Sequence, residues 1–191
     1  MMPVPQKTAR AFSLIELLVV IGIFSLISIV VLANHSRFNS SVLLGSLAYD
    51  IGLSIREAQV YGISVKQFSN QFQIGYGMDF SSANSYTLFA DVNANKTYNA
   101  DSDSVVQLYT LGQGNHISRF CGITSSGSEE CSDSGTPITR LDIVFLRPNP
   151  DAYISSDLSP SYSSAKVTVA SAGGETRTVT VQSTGQISVS Q

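Results

Sequence analysis

From Phe12 to Ala33 the chain reads FSLIELLVVIGIFSLISIVVLA, an apolar run whose single ionisable group is Glu16. As a helix this run is about 33 Å long at ~1.5 Å per residue, enough to cross the hydrocarbon of a bilayer. Beyond Ala33 the pattern changes. Leu43, Leu47, Ile51, Ile55 and Ala58 recur at helical spacing, while Asn39, Ser46, Asp50, Ser54, Arg56 and Glu57 fall mostly off that stripe. The helix is therefore expected to continue as an amphipathic element over 34–62 and to end near Gly62. Asn34, His35, Ser36 and Arg37 form the polar exit from the apolar part, and His35 is read as interfacial rather than catalytic.

Downstream the period changes again. Val65–Ile74, Tyr86–Ala90, Val105–Leu111, His116–Phe120 and Arg140–Leu146 are rich in β-branched and aromatic residues between Ser, Gly and Asn turns, and read as short strands. In the tail, Ala165–Ala170 and Arg177–Val181 alternate apolar and polar residues about Gly173-Gly174. Gln186–Val189 follows after Thr184-Gly185 as a further strand.

At 191 residues the chain has room for one domain plus an extended accessory element. Charged residues make up 13% and the formal net charge is −3, so neither a disordered chain nor a basic nucleic-acid-binding face is indicated. Lys7 and Arg10 precede the apolar run, which keeps the N-terminus cytoplasmic and exports everything after Ala33. A cleavable secretory signal, releasing a soluble chain from Asn34, is the plain alternative. Against it stand the length of the run and Glu16, because a carboxylate at membrane depth costs ~2.5–3.5 kcal/mol or more unless it is paired.

The order Ala11-Phe12-Ser13-Leu14-Ile15-Glu16 behind a short basic leader resembles the N-terminal signal of type IV prepilins: a small residue, then Phe, then Glu at the fifth mature position. The resemblance implies cleavage after Ala11 by prepilin peptidase and methylation of the new amino group on Phe12. It implies further that Glu16 attracts the terminal ammonium of a neighbouring subunit during assembly on an inner-membrane platform with other pilins. A buried carboxylate needs a cation, and the processed neighbour supplies one. Where the family usually has Gly before the cut, Ala11 stands here. Loss of Lys7 and Arg10 with the leader moves the formal charge from −3 to −5, and nucleic-acid binding becomes still less expected.

The long helix, the AYDIGLSIREAQVYGISV segment and the terminal VQSTGQISV strand are together similar to the H-type minor pseudopilins of type II secretion and type IV pilus systems. That similarity implies an α+β, pilin-like fold in which a long N-terminal helix packs on a small antiparallel β-sheet head. The expected organisation is a leader (1–11), a transmembrane or filament-core helix (12–33), an amphipathic helix (34–62) and a periplasmic or extracellular head (63–191). The implied function is a structural filament subunit in the cytoplasmic membrane, without catalysis of its own.

Candidate chemistry in the head is sparse. Asp91, Asn93, Asn95, Asp101 and Asp103 lie in a segment that begins like an oxygen-ligand calcium loop. It then departs from the EF-hand, with Lys96 at the glycine position and Ser102 where a bidentate Glu belongs. A calcium-stabilised turn and a solvated Asp/Asn-rich turn both remain open. Cys121 and Cys131, in CGITSSGSEEC, lack further ligands for zinc and are expected to form a disulfide in an oxidising compartment, free thiols being the alternative. Glu129, Glu130 and Asp133 are read as an exposed acidic loop tip. His116 lies in a strand-like segment, and neither a nucleophile elbow, a zinc-protease helix, a P-loop nor a dinucleotide fingerprint occurs. The competing class is a membrane-anchored adhesin whose recognition surface combines Asp91–Asp103 with the Cys121–Cys131 loop.

Overall fold

With no proline between residues 6 and 136, nothing in the sequence interrupts a long N-terminal helix. The computed structural model describes residues 12–64 and 74–190, the side chains of 33–40 excepted. Leu14–Ile63 form helix α1. The chain divides into two compact units, residues 1–39 and 40–191. In the first, the helical residues Leu14–Leu32 are long and apolar enough together to cross a membrane, and none of their side chains is buried within the chain.

The second unit contains the rest of α1 and ten strands: β1 (Gly75–Phe80), β2 (Ser85–Asp91), β3 (Ser104–Thr110), β4 (His116–Ile123), β5 (Glu129–Cys131), β6 (Leu141–Phe145), β7 (Ala152–Ser156), β8 (Ser164–Ala170), β9 (Thr176–Gln182) and β10 (Ile187–Ser190). The fold is α+β and the pairing antiparallel, as expected. Instead of one small sheet, however, there are two of five strands, in the orders β3-β2-β1-β6-β7 and β10-β9-β8-β4-β5. Leu44, Ala48, Ile51, Ile55 and Ala58 of α1 share one core with Met78, Phe80, Leu88, Ile143 and Phe145 of the first sheet and with Ile117, Val167, Val169, Val179 and Val181 of the second. Two inward faces meeting on one helical stripe bury more apolar surface than a single sheet allows.

The buried stripe of α1 differs from the expected one at its start, where Leu44 and Ala48 are buried and Leu43 and Leu47 flank them. Ser54, expected off the stripe, is buried, and its hydroxyl donates to the Asp50 carbonyl (2.9 Å) and meets the Tyr86 hydroxyl (3.3 Å). The helix ends where Gly62 passes against β6: a Cβ there would overlap the Phe145 carbonyl oxygen, and the Arg147 N–H donates to the Gly62 carbonyl at 3.1 Å.

Strands expected around Tyr86, Val105, His116, Arg140, Ala165, Arg177 and Gln186 are present as β2, β3, β4, β6, β8, β9 and β10. Val65–Ile74 lies outside the described residues apart from Ile74, which is not in a strand. Three strands were not legible. β1 is glycine-rich because its backbone is approached closely, a Cβ on Gly77 falling 2.7 Å from Val144 Cγ2. β5 has three residues and two glutamates, and β7 follows a Pro-rich turn.

Candidate functional site

At the N-terminal end of the described chain, Phe12 and Ser13 precede α1, and the Ser13 carbonyl accepts the N–H of Leu17 at 3.1 Å. Glu16 lies in the first helical turn, exposed, where a carboxylate is favoured by the helix dipole. Around it Phe12, Leu14, Ile15, Leu17 and Leu18 are all more than half exposed. No Lys or Arg occurs between Phe12 and Leu32, so the segment holds one acid and no cation of its own. Ala11 and the leader lie outside the described residues.

Residues 6–32 match the prokaryotic N-terminal methylation motif. The match spans Phe12 and Glu16 and supports a type IV pilin-like protein, a chain processed by prepilin peptidase that assembles with other pilins. With the apolar helix behind it, the motif is consistent with a single-pass membrane anchor. No curated protein and no solved structure matches the chain.

In the second unit, the Asp/Asn-rich segment closes on itself. Asp91 accepts the N–H groups of Asn95 (Oδ1, 3.1 Å) and Lys96 (Oδ2, 2.9 Å); Asp103 accepts those of Val92 (Oδ1, 3.0 Å) and Asn99 (Oδ2, 2.8 Å). Asn95 Oδ1 accepts from the Thr97 N–H and hydroxyl, and Asn93 Nδ2 donates to the Ser102 hydroxyl at 2.7 Å. Asp101 is exposed. Of the five residues named as oxygen ligands, Asp91, Asn95 and Asp103 accept N–H groups of the loop itself, so they cap its backbone. A turn outside any ladder leaves backbone N–H groups needing acceptors, and short Asp and Asn side chains supply them. Lys96 still takes the left-handed turn expected of a glycine, at φ 65°, and Ala94 does so at φ 59°.

That loop covers the outer face of the first sheet through Tyr98, whose ring lies 5.1 Å from that of Phe89 and whose carbonyl accepts from Arg140 Nη1 at 2.9 Å. Beneath it Asp79 and Asp142 are cross-strand partners in β1 and β6, 2% and 0% exposed. Arg140 Nε lies 2.8 Å from Asp142 Oδ2, and Ser81 donates to Asp79 Oδ2 at 2.7 Å. Burial raises both carboxyls, that of Asp142 to about 8 against the pull of Arg140. Sequence reading missed this group. Its signal was the alternation Arg140-Leu141-Asp142-Ile143, which puts two charges on one face of a strand otherwise apolar on both.

Cys121 and Cys131 are register partners in β4 and β5 and form a disulfide, both sulfurs in the interior. Glu129 and Glu130 belong to β5 rather than to a free loop tip. Glu129 lies 2.6 Å from Lys166 Nζ and 3.4 Å from Arg119, and the Lys166 hydrogen bond holds its carboxyl below the usual range. Glu130 accepts from the Tyr162 hydroxyl, and Asp133 lies 3.7 Å from Arg119. Glu129 also approaches both cysteine sulfurs, but the disulfide removes the thiolates a metal would require. His116 opens β4, half-buried.

Proposed function

We propose that this chain is a structural subunit, a minor pseudopilin or minor pilin, of a type II secretion pseudopilus or type IV pilus-like filament. The observation that carries this reading is Glu16. It is a lone acid within the matched motif, about one helical turn past the expected cut after Ala11, in an apolar helix with no cation. Cleavage after Ala11 creates the missing charge, because the new terminal ammonium on Phe12 of one copy neutralises Glu16 of the next within lipid. Assembly then depends on processing, and an unprocessed chain stays a membrane monomer. The subunit needs no catalytic group of its own, the work of assembly being supplied by a separate cytoplasmic ATPase. Assignment to the H-type minor pseudopilins rests on the sequence of the helix and the last strand.

Two measurements test the reading. N-terminal sequencing of the mature protein is expected to begin at Phe12, methylated, and a start at Asn34 overturns the filament function. Glu16→Leu is expected to abolish incorporation into filaments while leaving membrane insertion intact. Unchanged incorporation would favour an anchored adhesin instead.

A further inference from the structure

Two walls enclose a cleft of about 570 Å³ on the second unit: Asn95, Lys96 and Thr97 of the loop after β2, and Tyr153 with the 155–161 turn that leaves β7. Buried side chains set both walls. Asp91 fixes the first through the N–H groups of Asn95 and Lys96. In the second, the buried Ser156 hydroxyl accepts the N–H groups of Leu158 and Ser159 (3.1 Å each) and meets the Tyr162 hydroxyl at 2.7 Å. The Ser155 hydroxyl joins them by donating to the Lys96 carbonyl at 3.4 Å. A cleft held in this way is formed before a ligand arrives, so binding costs little reordering.

The cleft offers mostly donors. Lys96 Nζ lies 3.7 Å from the centre of the Tyr153 ring, and among the described residues it forms no ion pair, so the ring steadies its charge without cancelling it. Among the described residues the Asn95 amide nitrogen and the hydroxyls of Tyr153 and Ser161 have no hydrogen-bond partner either. Asp157, the acid in the lining, has both oxygens taken by Thr139, through its N–H (3.0 and 3.1 Å) and its hydroxyl (2.7 Å). Tyr153 and Leu158 stay exposed as apolar faces between these polar groups. Strand addition by a peptide is blocked along β7. There the Ala152 N–H goes to Ser183, the Ile154 carbonyl receives the Tyr162 N–H, and the Ser156 N–H goes to Ser159.

We propose that this cleft binds an acidic saccharide, its carboxylate on Lys96 Nζ and its ring hydroxyls on Asn95, Tyr153 and Ser161. The carboxylate meets the one cation of the cleft, which the fold leaves uncompensated. Sugar hydroxyls both donate and accept, which suits walls of hydroxyl and amide. The C–H face of the sugar ring covers Leu158 and Pro160, and the cleft falls in the size range of small-ligand sites. This inference goes beyond the filament reading and does not depend on it, because the cleft is complete within one chain.

The experiment titrates digalacturonate into the full-length chain in an uncharged detergent, followed by calorimetry. Saturable binding is expected, with a Kd of about 1 mM or tighter. Lys96→Gly is expected to weaken it at least about tenfold. Gly accepts the left-handed backbone at residue 96 (φ 65°), so this variant keeps the loop, which an undiminished melting temperature verifies. Lys96→Gln, which retains the aliphatic stem, is expected to lose binding equally, and Lys96→Arg to keep it. Arg177→Gln on β9 removes the same charge elsewhere and should leave the Kd unchanged. The proposal is overturned if digalacturonate does not saturate, if Lys96→Gly and Lys96→Gln bind it as the unaltered chain does, or if its dimethyl ester binds as tightly as the acid. Displacement by an equal concentration of inorganic phosphate also overturns it, since the cleft would then select an anion and not a sugar.

Discussion

Asp79 and Asp142 face each other across β1 and β6, both sealed from solvent, with Arg140 Nε 2.8 Å from Asp142 Oδ2. Two acids and one guanidinium beneath a loop cannot all be charged cheaply, so the fold keeps a proton on the pair. The folded state then binds that proton up to about 8, whereas the unfolded chain releases it in the ordinary carboxylate range. Between those limits the folded chain holds more protons, so stability falls as pH rises through the window. Thermal denaturation of the full chain in detergent is expected to show this decline between about pH 5 and 8. Asp142→Asn is expected to flatten it. Parallel slopes in the two proteins would show that the pair is charged in the fold.

Gly62→Ala is expected to destabilise the protein by about 1–3 kcal/mol, since the added methyl meets the Phe145 main chain rather than a yielding side chain. Gly45→Ala is the matched control in the same helix, with open space at its Cβ, and should be neutral or slightly stabilising through helix propensity. Comparison of melting temperatures checks both.

Reduction, or Cys121→Ser with Cys131→Ser, is expected to cost about 2–3 kcal/mol, the value for freeing a loop of ~10 residues in the unfolded chain. The loss should appear first as faster amide exchange in β5, which is three residues long and paired to β4.

Asp103→Ala leaves the N–H groups of Val92 and Asn99 without their acceptor and is expected to cost about 1–2 kcal/mol. Because the loop is capped by its own side chains, excess calcium should not raise the melting temperature. A rise abolished by Asp91→Ala would instead favour a cation held by the loop.

The apolar run with its single acid, the change from helical to alternating period and the glycine-turn tail are local patterns, so the sequence alone determined the long apolar helix, the α+β class and most of the strands. Burial is a property of neighbours, and there sequence reading stopped. A stripe such as Leu43, Leu47 and Ile51 gives the same period whether Leu43 or Leu44 faces inward. Only the two packed sheets decided for Leu44 and Ala48. Equally, no pattern shows that β1 exists through the absence of side chains at Gly75 and Gly77, or that Asp79 meets Asp142. Such features depend on strands 63 residues apart in register, which chain-local periodicity does not encode.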